Sequence, residues 1–225
     1  MSINFLTAVK QFHKDKQEPN SRYLSWEYCY TAFYQARKTK NPDYDYLSLQ
    51  LYQYLASWGM LRGSSFLLWK DYKIHIPVIK EMLKPEYDCL QGASCQNFLN
   101  EKILVAWKKL DDWLIAYYSK VRDSVRDSVK QDISTVLRSK ILLGTLGCTP
   151  AYDRFFKEKV RAYGISSIYG KNSFKQLAEF YEKHHSEFEV CRQTLKVDNS
   201  DLIYPQMKLL DMGFWQLGFN EQNIE

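Results

Sequence analysis

The sequence predicts an all-α fold of about eight to ten helices with little or no strand. Three observations carry this. Apolar residues recur at helical spacing, i, i+3, i+4 and i+7, along almost the whole chain. Alternating patterns are scarce. Pro, Gly, Asn and Ser fall between the periodic stretches, where helices must stop. Of 225 residues, 45% are hydrophobic and 25% charged, an ordinary globular mix able to bury a core without staples.

Taken in order, Trp26, Tyr30 and Phe33 make the first stripe, after a cap at Asn20 or Ser21. Asn41-Pro42-Asp43 is a turn. Leu47, Leu51, Leu55, Trp58 and Leu61 follow as a second stripe. Tyr72 to Ile76 alternates, but Pro77 follows at once, so the segment predicts the start of a short helix rather than a strand. Leu99, Ile103, Trp107, Leu110, Leu114 and Tyr117 mark a long helix over roughly 94–119. Ile133, Val136, Leu137 and Ile141 mark another. Phe174, Leu177, Tyr181 and Phe188 share one face of a helix from about 172 that would reach Leu195. Met207, Leu210, Phe214 and Leu217 close the chain. No connection is long or biased enough to be a flexible linker, so one helical domain spanning 1–225 is expected. A shallow division, if any, would separate 1–120 from 132–225.

Net charge is +5, with 15 Lys/Arg against 12 Asp/Glu in residues 1–112 and 16 against 14 in 113–225. So even a spread permits nucleic-acid contact without arguing for it. Aromatic residues reach 16%, and Tyr and Trp suit contacts that meet water, a groove or a partner. The five cysteines, Cys29, Cys89, Cys95, Cys148 and Cys191, are odd in number and include no C-x-x-C pair. They read as reduced thiols of a cytoplasmic protein. No signal peptide is visible at the start. No apolar run approaches the roughly 20 residues that cross a bilayer, so no membrane partner is expected.

Chemistry-bearing patterns are few. His184 and His185 point about 100° apart on a helix and cannot share a metal, so no metal is expected; no nucleotide or cofactor fingerprint is present either. Val121-Arg122-Asp123-Ser124 is followed by Val125-Arg126-Asp127-Ser128, which reads as a solvated helix with local ion pairs. Gly59 and Gly63, four apart, would lie on one helix face and admit a close neighbour. Gly63-Ser64-Ser65 could instead break the helix, and free N–H groups there, beside Arg62, would bind an anion; Lys70 and Lys73 add to that reading. The richest stretch is Ser139 to Phe156. A helix ends near Gly147, Thr149 can cap the next, Pro150 suits its first position, and Asp153 would fall in the first turn, where the helix dipole favours a carboxylate.

Pro150-Ala151-Tyr152-Asp153, then Val160-Arg161-Ala162-Tyr163-Gly164-Ile165, resembles the helix-hairpin-helix DNA glycosylases, in which a proline-containing turn precedes an Asp at a helix start. Leu209-Leu210-Asp211-Met212-Gly213 resembles the family's closing helix. The resemblance spans residues 139–218 through a handful of positions. It implies that Asp153 is the catalytic carboxylate, stabilising positive charge on a sugar as the base departs or activating the nucleophile. Lys140 is a nearby cation, which no family motif fixes as the nucleophile. The family's glycine-hydrophobic-glycine hairpin has no counterpart. Gly144-Thr145-Leu146-Gly147 lies too close to Asp153, and the iron–sulfur cysteines of some members are absent. Two readings stand: a nucleic-acid-associated helical protein distantly like the glycosylases, with or without activity, and a non-enzymatic module that binds another protein or itself. A role in bacterial regulation or defence fits either.

Overall fold

The computed structural model describes residues 2–125, 132–198 and 200–222, with the side chains of Ser2 and Ile3 outside the description. Of this, 71% is helical. The α-helices are α1 (Ser2–Lys16), α2 (Leu24–Ala36), α3 (Tyr44–Ser57), α4 (Ile76–Met82), α5 (Glu101–Asp123), α6 (Thr135–Leu146), α7 (Arg154–Ala162), α8 (Lys171–Lys183), α9 (His185–Thr194) and α10 (Gln206–Gln222). Short 3-10 turns at 66–69, 72–75, 85–90 and 95–99 fill the first half. Among the described residues, β structure is limited to one isolated bridge between Lys196 and Ile203. The all-α expectation holds.

Two helices sit at the centre. Every residue of α6 from Leu137 to Leu146 is buried, and so is every residue of α10 from Gln206 to Gln216. Helices enclosed on all sides carry apolar residues all round rather than in a stripe. Around them α1 and α7 both pack on α10, and α2 packs on α3 and α6, which also touch each other. The Trp26 indole N–H donates to Leu143 O at 2.9 Å, tying α2 to α6. The buried apolar residues form one cluster running from Phe5 to Trp215, with members from both sides of residues 120–132.

Several boundaries differ from the sequence expectation, each for a local reason. The stripe from Leu99 does not start a helix at 94. Ser94 caps a 3-10 turn, and α5 starts only after Asn100, whose side chain accepts from Lys102 N at 2.9 Å. The stretch from 172 to 195 is two helices, α8 and α9, broken at His184. No side chain caps α2, whose flanking residue is Tyr23; Asn20 instead turns the chain with φ 58°. Trp58 and Leu61 lie beyond α3. Gly59 and Gly63 therefore share no helix face. Both have positive φ, 73° and 59°, in the loop that follows α3, and no neighbour closes on Gly63. α7 does not begin at Pro150. Residues 147–153 run without helix, Thr149 turns its hydroxyl to Ser139 O, and Asp153 itself is the N-cap, its side chain accepting from Phe156 N at 3.2 Å. Of the tandem repeat, Arg122 pairs with Asp123 at 2.8 Å, whereas Arg126, Asp127 and Ser128 lie outside the described residues.

All five cysteines are free thiols and four of them are buried. No described helix is long and apolar enough to cross a membrane.

Gly218 sets how closely α10 meets α7. A Cβ there would lie 2.6 Å from Phe155 O, a backbone atom that cannot swing aside. Gly218→Ala is therefore expected to cost roughly 1–3 kcal/mol despite the ~1 kcal/mol that alanine gains in helix propensity. Urea unfolding would measure it, and an unchanged midpoint would contradict the close contact.

Candidate functional site

A cleft of about 870 Å³ opens where the loop after α3, the start of α6, the start of α7 and α10 meet. It gathers the two groups of residues that the sequence nominated separately. Lys140 and Asp153 line it, and so do Arg62, Ser64 and Ser65; Gly63 does not. Lys73 lies away from it, 3.8 Å from Asp45.

The Lys–Asp pair is placed by the central helix and the segment beside it. Lys140 is on buried α6. Its Nζ donates to Trp58 O at 2.7 Å and stands 3.9 Å from Asp153 Oδ2. Asp153 caps α7, and the Trp215 indole nearby also favours its ionised form. Six per cent of the Lys140 side chain and 16% of the Asp153 side chain remain exposed, so both groups face each other with little water. Burial lowers the Lys140 pKa from its ordinary value, against the pull of the Asp153 and Asp211 carboxylates. Burial likewise raises that of Asp153, against the Lys140 charge, the Phe156 N–H and the Trp215 indole. Each group is thus nearer its neutral form than it would be in water.

A second buried pair holds this one in place. Asp211 on α10 accepts from Ala151 N at 2.9 Å and from Lys208 Nζ at 2.8 Å. It pins the segment that carries Asp153, and Tyr152 N donates to Ser139 Oγ at 2.9 Å to fix the same segment to α6. Lys208 is 2% exposed and lies over the rings of Phe12 and Trp26 at 4.8 and 5.0 Å.

The walls are aromatic. Trp58 and Trp215 meet edge to face at 5.4 Å, and Phe155 packs on Trp215 at 5.6 Å. The Arg22 guanidinium lies 5.2 Å from the Trp58 ring and 6.0 Å from that of Trp215, within cation–π range. Around the cleft Arg22, Arg62, Arg122, Lys140 and Arg154 stand against Asp132 and Asp153, with Arg122 also paired to Asp123. A cleft lined mainly by one sign of charge raises the local concentration of the opposite ion. Of the loop's amides, Met60 N bonds back to Leu55 O of α3 and Ser65 N bonds Arg62 O, and Ser65 Oγ accepts from Leu67 N. Arg62 brings a positive charge to the same loop.

Sequence reasoning passed over Arg22, Trp215 and Lys208, and read Trp58 only as part of a helix stripe. Nothing local marks them, because they come from segments far apart in the chain. His184 ends α8 and His185 opens α9. Among the described residues no three His, Cys, Asp or Glu side chains are grouped to hold a metal. Comparison with known protein families, with curated proteins and with solved structures gave no match.

Asp211→Ala should leave the Lys208 charge buried and uncompensated and cost roughly 3–5 kcal/mol in denaturant unfolding. The double variant Lys208→Met/Asp211→Leu should recover part of this, the remainder reflecting Ala151 N–H left without an acceptor. A single variant as stable as the parent would show that Asp211 does not anchor the segment.

Proposed function

We propose that the cleft takes a nucleotide of a nucleic-acid chain, and that Lys140 and Asp153 act on its sugar in the manner of the glycosylases that residues 139–218 resemble. The observation that carries this reading is the buried Lys140–Asp153 pair at an aromatic, cation-rich cleft. Aromatic walls accept the faces of a base, and the guanidinium groups of Arg22, Arg62 and Arg154 suit phosphate oxygens.

The chemistry follows from the two side chains. A desolvated lysine spends more of its time as the neutral amine, which is the nucleophile. Attack of that amine at the sugar C1′ breaks the bond to the base, which leaves with the bonding electrons. The Asp153 carboxylate, held beside Lys140, stabilises the positive charge that builds on the sugar. Proton loss from nitrogen and ring opening then give an imine between Lys140 and C1′. Asp153 must be ionised and Lys140 neutral for this step. The rate should therefore climb with pH as Asp153 and Lys140 each lose a proton, the carboxyl above and the lysine below its ordinary value. The alternative, a protein-interaction module, draws on the exposed apolar side chains, which are spread over Tyr28 on α2, Tyr46 and Leu49 on α3, Leu68 and Trp69 on the turn after α3, Leu99 and Val105 about α5, Ile168 in the loop before α8, and Val190 on α9.

Two measurements test the proposal. Binding to duplex and single-stranded DNA should be detectable at low salt and weaken steeply as salt rises. Borohydride should trap a covalent complex with DNA bearing an abasic site; Lys140→Gln should abolish the adduct, and Asp153→Asn, which keeps the helix cap but takes the counter-charge from Lys140, should slow its formation roughly 10²–10³-fold and lower the melting temperature. Absence of binding at low salt, or an adduct that survives Lys140→Gln, would refute the assignment.

A further inference from the structure

Of the six tryptophans, Trp26, Trp107 and Trp215 are buried, and Trp58 and Trp113 are half-buried. Trp69 is 75% exposed. It makes no ring contact with another described residue, and it ends the 3-10 turn Phe66–Trp69, whose first residue and cap, Phe66 and Ser65, line the cleft. In a 3-10 turn residues three apart are eclipsed and about 6 Å apart along the axis. Trp69 therefore follows Phe66 on the same side of the turn. The turn is anchored rather than loose. Leu67 is 1% exposed, Ser65 Oγ caps Leu67 N, Lys70 N bonds Leu67 O at 3.2 Å, and the Phe66 ring reaches Tyr118 at 6.1 Å. Arg62 and Lys70 flank it in sequence, and neither forms an ion pair with a described residue. The neighbouring Asp71 is engaged as the cap of Lys73 N at 2.8 Å.

A large indole face held in water on an anchored turn, with cations before and after it in sequence that form no ion pair with a described residue, and a basic cleft alongside, matches the way proteins hold unpaired bases. The ring stacks on the base while the cations follow the backbone. A base inside a duplex offers no free face, so the feature selects single strands. We propose that Trp69 is a stacking platform for an unpaired base of single-stranded nucleic acid, whose backbone passes over Arg62 and Lys70 as the chain enters the cleft. This rests on the reading of the cleft as a nucleotide site, and extends it by naming the form of nucleic acid that is bound.

The test is fluorescence anisotropy with a labelled mixed-sequence DNA single strand and with the same sequence as a blunt duplex, across salt concentrations. Trp69→Ala should weaken single-strand binding roughly 5- to 150-fold, the range for loss of one stacked base. It should leave the salt slope, the duplex affinity and the melting temperature unchanged; Trp69→Phe should retain most of the affinity. Arg62→Ala should instead reduce the salt slope by about one. Parental single-strand affinity in Trp69→Ala, or an equal loss on duplex, overturns the proposal. So does a sedimentation mass that falls on Trp69→Ala with DNA binding intact, which would assign the face to self-association. If borohydride trapping through Lys140 persists alongside any of these, the cleft reading stands and the platform alone falls. If the parent protein binds neither DNA at low salt, both fall.

Discussion

The buried carboxylate of Asp211 is the constraint on which the site depends. α10 is enclosed from Gln206 to Gln216, and a charge placed there must be matched on the spot or the helix cannot be buried. Lys208, one turn earlier on the same helix, supplies the counter-charge, and the Ala151 N–H supplies a second partner. That second bond crosses from α10 to the irregular segment between α6 and α7. Through it the closing helix dictates where Asp153 lies, and hence which helix end faces Lys140. Two amides of this segment, Ala151 N and Tyr152 N, are satisfied by side chains of the two central helices, Asp211 on one and Ser139 on the other. An irregular backbone can therefore run through the interior without leaving its donors orphaned.

Above that frame the cleft is built by aromatic packing. Phe12, Tyr23, Trp58 and Trp215 meet one another edge to face or stacked, and they come from α1, the turn before α2, the loop after α3 and α10. The Trp58 ring has Arg22, Lys140 and Lys208 within 6 Å of its centroid, so the ring shares with Asp153 and Asp211 the work of holding these cations. The same rings that close the core thus form the wall of the cleft. The high aromatic content serves packing and site together, and the two roles cannot be separated by counting.

The helical pattern was legible where a helix has one wet face. α5 shows it: Ile103, Trp107, Leu110 and Leu114 are inward, and Lys108, Lys109 and Asp112 are outward. It was least legible at helix ends. Asp153 and Thr149 are both good caps on chemical grounds, and the choice between them was made by Asp211 and Ser139, which hold residues 151 and 152 out of the helix. At Trp58-Gly59 the apolar spacing suggested continuation, yet Gly59 takes a left-handed conformation that ends α3 and lets the Trp58 carbonyl meet Lys140.

The sequence by itself determined the class of fold, the approximate place of most helices and a short roster of reactive groups, because helix periodicity, turn residues and cap chemistry are local properties carried within a few residues. Only the tertiary structure decided that Arg62, Lys140 and Asp153 share one cleft with Arg22 and Trp215. Their separations in the chain run from 13 to 193 residues. No local rule links such positions. They are brought together by the burial of α6 and α10, whose packing is fixed by side-chain shape and by the matching of buried charge.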